Sequence, residues 1–359
     1  MSRRHKILRL EIALLIAILN SIGAEFTHAQ APTNSSQTVR WAKRTQPARK
    51  PAPATDCCTY WMVSSRPCQQ KSHSQCCGCQ FNYYRCNENT RCVRSSLKSL
   101  LESLQPGVPI AVVVHGSFTS LQSITNDSRY MNSWLQNGDA KRPLHVIFFT
   151  WPSDGPYTGL LHLDVARLGR KSARTAFYLS DLLAKLPADR PVSLIGHSHG
   201  ARTVAATLHL QGGGAVQGYR LSPSLIVPRR FRAVLTGAAI DHNWFNPGER
   251  YGRALCSVES LLNVRNKHDN VLGFYPLRKP FSGRALARTG LTPWDLQKLG
   301  WLNTKVSQLD VTSIVGAHHF WQYYYRHSEI AEAISPWVFF PKYHDTKKTR
   351  PKRTASLSQ

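Results

Sequence analysis

The chain has 359 residues, of which 42% are hydrophobic and 10% aromatic, so it carries enough apolar material for a packed core and is not a wholly disordered protein. Lys and Arg number 46 against 20 Asp and Glu, which gives a formal net charge of +26. Such a charge favours anionic neighbours, but it says nothing about fold.

The first residues have the pattern of an export signal. A basic start, MSRRHKILRL, precedes the apolar run Ile12 to Leu19, and Ala29 and Ala31 form a small-x-small cleavage site, with Ala24 as an earlier alternative. The run is too short for a permanent spanning helix, although an uncleaved anchor is the alternative. We therefore predict a signal peptide over residues 1–31 and an exported mature protein that is periplasmic, secreted or held at the cell surface.

Cysteine usage agrees with export. Eight of the nine cysteines lie close together, at Cys57, Cys58, Cys68, Cys76, Cys77, Cys79, Cys86 and Cys92. An even, dense cluster in an exported chain predicts a disulfide framework. A zinc site is the weaker alternative, because the cluster holds one histidine, His73, and lacks two separated Cys-x-x-Cys pairs. Cys256 stands apart in a helical-looking stretch and is expected to be a buried, inert thiol.

Two basic segments flank the rest of the chain. Residues 32–56 form a proline-rich linker and residues 342–359 form a basic tail, and both are predicted to be disordered. We expect weak contact of these tails with anionic surfaces. No nucleic-acid recognition motif is present, so specific nucleic-acid binding is not expected.

Between these segments, apolar runs alternate with helical patterns. The predicted strands are Ile110 to Phe118, Leu144 to Trp151, the run PVSLIGHS, Phe231 to Asp241 and Ser260 to Asp269. The predicted helices are Asp164 to Leu186, HGARTVAATLHL, and a closing helix that begins near His318. This alternation is typical of an α/β fold with a mostly parallel sheet covered by helices on both faces.

Residues 57–107 contain two further candidate strands, Tyr60 to Arg66 and Phe81 to Arg85. We expect this cysteine-rich stretch to form a disulfide-pinned edge of the same sheet, as an N-terminal extension of the core at residues 108–341.

The stretch SLIGHSHGARTV places Ser198 between a predicted strand and a predicted helix. Gly196 and Gly200, two residues on either side, let the strand and helix backbones approach closely, while the turn exposes the serine oxygen. A Gly-x-Ser-x-Gly pattern alone is a weak signal and turn serines are common. The strand-turn-helix context favours a nucleophile at the carboxyl end of a central strand.

The chain here resembles the α/β-hydrolase superfamily, particularly its lipase- and esterase-like members. The resemblance is carried by VVVHGSF, GHSHG, and the late HDNVL followed by GAHHFW, over roughly residues 108 to 340. It implies an α/β-hydrolase-like sheet and hydrolysis of a small-molecule or lipid ester through a serine acyl-enzyme. No cofactor or metal is expected. The cysteine-rich extension departs from typical small esterases.

Carried over by position, the resemblance makes Ser198 the nucleophile and the backbone N–H groups of Ser117 and His199 the oxyanion hole. For the acid, Asp269 is preferred over Asp241, because it follows the later strand. The alternatives are a helix N-cap for Asp269 and a strand-end turn for Asp241.

The base is expected just before the closing helix, where both His318 and His319 are candidates and His319 is favoured. His197 and His199 flank the serine, but a zinc-ligand spacing is absent. Trp151 and the segment from Asp241 to Gly252 stand where substrate pockets usually form, although packing is an equal alternative.

Two other functions remain open from the sequence. One is a non-catalytic α/β-hydrolase-like protein that binds an anionic surface polymer through its basic ends. The other is an acyltransferase, which uses the same three side chains and differs in the acceptor.

Overall fold

The computed structural model describes residues 59–70, 79–88, 90–158, 160–278 and 282–340. The predicted signal peptide, linker and basic tail lie outside these residues. So do four of the clustered cysteines, Cys57, Cys58, Cys76 and Cys77.

The described residues form a nine-stranded sheet with the order β3-β2-β1-β5-β4-β6-β7-β8-β9. Strand β2 runs antiparallel to both of its neighbours, and the other neighbouring pairs are parallel. The strands are β1 (Thr59–Ser64), β2 (Asn82–Asn87), β3 (Thr90–Ser95), β4 (Ile110–Val114), β5 (His145–Thr150), β6 (Val192–His197), β7 (Phe231–Thr236), β8 (Ser260–Arg265) and β9 (Val306–Asp310).

Ten α-helices occur in the described residues, and four of them have more than ten residues. They are α1 (Leu97–Ser103), α2 (Leu121–Asn137), α3 (Leu161–Lys185), α4 (His199–Gln211), α5 (Asn270–Gly273), α6 (Leu286–Thr289), α7 (Pro293–Leu299), α8 (Thr312–Val315), α9 (Gln322–Tyr325) and α10 (Ser328–Val338).

Helices cover both faces of the sheet, as predicted. Strand β4 is completely buried, and its alternate side chains enter different cores: Val112 and Val114 join the cluster under α3 and α4, whereas Ala111 and Val113 join the cluster under α2 and α10. Side chains alternate between the two faces of a strand, so a continuous apolar run is required when both faces are covered.

The predicted closing helix is wrong in its start and its continuity. Helix α9 begins at Gln322, and α10 begins at Ser328. The carbonyl of Ala317 accepts from the Asn270 N–H, and the His318 carbonyl accepts from the Asn266 side chain at 2.9 Å. Both carbonyls accept hydrogen bonds from the segment after β8 and not from N–H groups of a following helical turn, so the helix does not begin at His318.

Strands β3 and β9 were not predicted from the sequence. Their sequences, TRCVRS and VSQLD, lack an apolar run, and they form the two edges of the sheet. An edge strand pairs on one side only and tolerates polar residues, which removes the signal used for the central strands.

Two disulfides, Cys68–Cys79 and Cys86–Cys92, confirm the disulfide framework for these four cysteines. Structural disulfides persist in oxidising compartments, so they indicate a non-cytoplasmic protein. The expectation for Cys256 is wrong: the residue is exposed, because the short 3₁₀ turn Ala254–Cys256 buries Ala254 and Leu255 instead.

Across the described ranges, we find no helix that combines the length and apolar character needed to cross a membrane.

Candidate active site

The junction between β6 and α4 holds Ser198 in an unusual backbone conformation. Its φ is 53° and its ψ is −120°, a region that a non-glycine residue rarely occupies. The turn is held by two backbone hydrogen bonds: the Ser198 N–H donates to Thr236 O at 3.0 Å, and the Ala239 N–H donates to Ser198 O at 3.3 Å. The end of β7 and the residues that follow it therefore hold the backbone of the serine in place.

The glycines at positions 196 and 200 permit this turn. A Cβ on Gly196 would lie 2.6 Å from the Gly200 carbonyl oxygen, and a Cβ on Gly200 would lie 2.6 Å from the His115 carbonyl oxygen. Both distances are shorter than van der Waals contact with backbone atoms that have no room to move. The close approach of β6, α4 and the end of β4 therefore requires glycine at both positions.

Three side chains from distant parts of the chain meet at the serine. Ser198 Oγ lies 3.0 Å from His319 Nε2, and His319 Nδ1 lies 2.7 Å from Asp269 Oδ2. Asp269 is fully buried and His319 is 7% exposed. Since the carboxylate accepts at Nδ1, the neutral imidazole carries its proton there and leaves Nε2 to accept from the serine hydroxyl.

Asp269 also caps a helix. Its Oδ1 accepts from the Leu272 N–H at 2.8 Å at the start of α5. The two expectations for this residue, helix cap and partner of the histidine, are therefore compatible, because each uses a different carboxylate oxygen.

The other histidine and aspartate candidates have different surroundings. The His318 side chain is exposed and stacks on Tyr323 with ring centroids 3.7 Å apart. Asp241 accepts from the Tyr275 hydroxyl at 2.8 Å and from the Gly283 N–H at 3.3 Å. The structure thus brings His319 and Asp269 to Ser198, and it places Asp241 at a separate position after β7.

The loop after β4 lies directly against the serine. A Cβ on Gly116 would be 3.0 Å from the Ser198 Cβ. The next residue, Ser117, lies with its Oγ 2.5 Å from His199 Nδ1. Ser117 and His199, the two positions expected to supply oxyanion donors, are therefore in contact through their side chains beside Ser198.

His115 forms the buried foundation of this loop. Its Nδ1–H donates to Gly116 O at 2.9 Å, and its Nε2 accepts from the Thr150 hydroxyl at 2.9 Å and from the Trp151 N–H at 3.2 Å. Burial lowers the pKa of His115 to about 3, so the ring is neutral at ordinary pH.

Trp151, expected as a pocket wall, belongs to the core instead. Its side chain is 0% exposed, it stacks on His115 with ring centroids 5.9 Å apart, and its Nε1–H donates to the His115 carbonyl at 2.9 Å. The packing alternative therefore describes Trp151, because the loop that approaches Ser198 lies over its ring.

His197 and Gly237 were not assigned a site role from the sequence. The buried His197 ring lies 5.1 Å from the His319 ring, centroid to centroid, and its pKa is lowered well below the ordinary value by burial and then by the proximity of His319 and His115. Gly237 has φ +51°, and a Cβ there would lie 2.9 Å from His197 Cε1 and 3.3 Å from His319 Cε1. Gly237 leaves room for both histidine rings. A glycine directly after a predicted strand, in TGAA, is the sequence signal that could have indicated this close approach.

In the part of the chain that the structure describes, no group of three or more His, Cys, Asp or Glu side chains could hold a metal ion.

Among known proteins, the chain matches solved structures only. No family model matches the chain, and no curated protein sequence matches it. Among solved structures, it is similar to the catalytic core domain of acetyl xylan esterase from Trichoderma reesei, at 15% identity and TM-score 0.31, over 56% of this chain and 82% of that one.

Two further solved structures are similar over more of the chain. An inhibited esterase B from Lactobacillus rhamnosis has 9% identity and TM-score 0.37, over 90% of this chain and 94% of that one. The esterase LipW from Mycobacterium marinum has 14% identity and TM-score 0.33, over 73% of this chain and 78% of that one.

The fold of this chain is α/β-hydrolase-like, as the sequence predicts. It has a mostly parallel sheet covered on both faces, with a serine at the junction of β6 and α4.

Proposed function

We propose that the protein is an exported serine hydrolase that cleaves carboxylic esters. The observation that carries this proposal is the pair of contacts Ser198 Oγ to His319 Nε2 at 3.0 Å and His319 Nδ1 to Asp269 Oδ2 at 2.7 Å. A hydroxyl becomes an effective nucleophile when a base within hydrogen-bond reach takes its proton and a third group orients that base.

In the first half-reaction, Ser198 Oγ attacks the carbonyl carbon of the ester and its proton passes to His319 Nε2. Asp269 stabilises the resulting imidazolium and keeps its orientation. The tetrahedral intermediate then collapses: the bond between the carbonyl carbon and the alcohol oxygen breaks, and His319 returns the proton to the departing alcohol. The product of this step is an acyl-Ser198 ester.

The negative oxygen of the intermediate needs donors that are already in position. The backbone N–H groups of Ser117 and His199 are the proposed donors. The contact between their side chains and the close approach of Gly116 to Ser198 support this assignment, because both keep the loop after β4 beside the start of α4.

In the second half-reaction, water replaces the alcohol. His319 takes a proton from water as the oxygen attacks the acyl carbon, and it then gives that proton to Ser198 Oγ as the acyl bond breaks. The carboxylic acid leaves and the resting state returns. An acyltransferase would run the same steps with another alcohol in place of water.

Export is the second part of the proposal. It rests on the leader-like pattern of residues 1–31 and on the disulfides Cys68–Cys79 and Cys86–Cys92.

The proposal is tested by p-nitrophenyl acetate hydrolysis under rapid mixing. A burst of p-nitrophenol that equals the enzyme concentration is expected when the acyl-enzyme forms faster than it hydrolyses. Ser198→Ala should abolish both the burst and turnover, whereas Ser224→Ala, at an exposed serine outside the site, should retain both. Turnover by Ser198→Ala at the wild-type rate would refute the proposal.

A further inference from the structure

The segment from Asp241 to Gly252 lines a cleft of about 620 Å³. This volume is typical of a site for a small molecule. Six of the residues that line the cleft come from this single segment: Asp241, His242, Asn243, Trp244, Glu249 and Arg250. Neither the Ser198–His319 contact nor the His319–Asp269 contact uses any of these residues.

The wall of the cleft at Asp241 is connected to the turn that holds the serine. The Ala239 N–H donates to Ser198 O at 3.3 Å, and Asp241 follows two residues later, so the Cα atoms of Ala239 and Asp241 are within about 7 Å of each other. Arg202, one turn after Ser198 on α4, donates to Ala239 O at 2.8 Å and to the Tyr275 hydroxyl at 3.3 Å. Tyr275 in turn donates to Asp241. A continuous set of hydrogen bonds thus joins the helix that begins at Ser198 to the wall of the cleft.

His242, which lines the cleft, is held in a fixed position. His242 Nδ1 lies 2.6 Å from Asp295 Oδ2, and Asp295 is fully buried. Asp295 also accepts from the Asn246 amide and from the Thr292 N–H, both at 2.8 Å. Burial opposes ionisation of Asp295, but these hydrogen bonds outweigh it and keep its pKa below the ordinary value. A buried carboxylate with several donors orients His242 from behind, which is what a preorganised binding group requires.

The lining of the cleft carries both signs of charge without an excess of positive charge, although the whole chain is strongly basic. Asp241 and Glu249 supply two carboxylates, and Arg250 supplies one guanidinium. The Arg250 guanidinium lies over the Trp244 ring, 4.6 Å from its centroid. The lining therefore offers both acceptors and donors, with two carboxylates and one guanidinium.

These polar groups favour a hydroxylated part of an ester over an apolar part. A long acyl chain would remove water from the polar groups without replacing the lost hydrogen bonds. A hydroxyl group donates one hydrogen bond and accepts others, so an uncharged molecule with several hydroxyls can satisfy carboxylates, amides and guanidinium groups together.

We propose that this cleft binds the alcohol part of the ester substrate, and that this alcohol is polyhydroxylated, as in a sugar or glycerol. The inference rests on the proposed ester hydrolysis at Ser198, and it adds a substrate class to it.

The test compares acetate esters that share an acyl group and differ in the alcohol: 6-O-acetyl-D-glucose, glycerol monoacetate and hexyl acetate. We expect kcat/KM for at least one polyhydroxylated acetate to exceed that for hexyl acetate by about tenfold or more. Asn243→Ala and Glu249→Gln should lower this ratio by about fivefold or more, mainly through a higher KM. A loss of folded protein lowers both rates and leaves the ratio unchanged.

Glu332→Gln provides the matched control, because Glu332 is an exposed carboxylate on α10 and lies outside the cleft. This variant should keep the wild-type ratio. A preference for hexyl acetate, or a ratio unchanged by both cleft substitutions, would overturn the proposal. The two polyhydroxylated acetates distinguish a sugar from glycerol as the bound alcohol.

Calorimetric titration of the Ser198→Ala variant with 6-O-acetyl-D-glucose and glycerol monoacetate separates the cleft from the chemistry. Binding that Asn243→Ala weakens supports the cleft assignment even if the wild-type protein hydrolyses none of the esters, in which case the proposed function fails alone. If neither ester binds and no preference is found, the cleft assignment fails while hydrolysis of hexyl acetate keeps the proposed function.

Discussion

At the scale of single residues, Asp269 makes two contacts that can be separated experimentally. Its Oδ2 meets His319 Nδ1, and its Oδ1 accepts from the Leu272 N–H. An asparagine can keep the second contact, since Asn is as good a helix cap as Asp, but its side chain carries no negative charge to stabilise an imidazolium.

We therefore expect Asp269→Asn to lower kcat by about 10³- to 10⁴-fold while the free energy of unfolding stays near the wild-type value. Asp269→Ala removes the cap as well and should lose about 1 kcal/mol more stability than Asp269→Asn. Ester hydrolysis assays and urea denaturation of both variants provide the measurement. Equal activity of Asp269→Asn and the wild type would contradict the role proposed for the carboxylate.

The buried His115 makes the stability of the protein depend on pH. His115 has its pKa lowered to about 3 by burial, from an ordinary value of 6.5. Between these values the unfolded chain binds a proton on this residue and the folded protein does not, so the free energy of unfolding falls as the pH falls. The contribution of His115 to the loss between pH 7 and pH 5 is about 2 kcal/mol.

Urea denaturation at pH 7 and pH 5 measures this loss. The buried His197, whose pKa is also lowered, acts in the same direction, so the wild-type difference contains both contributions. His115→Gln should reduce the difference by about 2 kcal/mol, even though the variant is less stable at both pH values. An unchanged difference would show that His115 titrates alike in the folded and unfolded states.

At the scale of elements, the junction of β6 with α4 depends on close backbone approach. A Cβ on Gly200 would lie 2.6 Å from the carbonyl oxygen of His115, in the loop that follows β4. Gly200→Ala should therefore push α4 away from this loop and cost about 3 kcal/mol or more of stability. Thermal denaturation tests this expectation.

Gly218→Asn is the matched control, because its Cβ would meet no atom within 4 Å, so the variant carries only the strain of a side chain at a φ of +86°. It should cost about 1 kcal/mol, clearly less than Gly200→Ala. A Gly200→Ala variant as stable as the wild type would mean that α4 can shift without cost.

The sequence predicts elements well where one local signal determines them. The apolar runs of β4, β5, β6, β7 and β8 are clear because both sheet faces are covered, and the strand-turn-helix around Ser198 follows from Gly196 and Gly200. The edge strands β3 and β9 escape prediction because their polar sequences carry no such run. The break before α9 escapes it because side chains and N–H groups from the loop after β8 take the carbonyls of Ala317 and His318.

The site shows the same division. The glycine pattern points to Ser198, and chain order narrows the partners to two histidines and two aspartates. The contact of His319 with Asp269 depends on how two loops far apart in sequence pack together, which no local pattern contains. The burial of Trp151 likewise depends on its stacking with His115 across neighbouring strands.

At the scale of the whole molecule, the disulfide-linked edge stands well away from the serine. Cys86–Cys92 joins β2 to β3, and the strands β1, β5 and β4 separate β2 from β6. A disulfide that closes so short a loop stabilises the folded state by about 2 kcal/mol through restriction of the unfolded chain.

The double variant Cys86→Ser/Cys92→Ser should therefore lose about 2 kcal/mol of unfolding free energy and keep kcat/KM for p-nitrophenyl acetate within about twofold of the wild type. Denaturation and steady-state assays at one temperature test both parts. A large loss of activity in variant protein that is still folded would show that this edge contributes to the site.

The α/β-hydrolase-like fold acquires chemistry only if the oxygen of Ser198 reacts. Mass spectrometry of the protein after treatment with a fluorophosphonate tests this most directly. We expect one adduct, located on the peptide that contains Ser198, with loss of labelling in Ser198→Ala and strongly slowed labelling in His319→Ala. Equal labelling of the wild type and Ser198→Ala, or an adduct on another residue, would contradict this expectation.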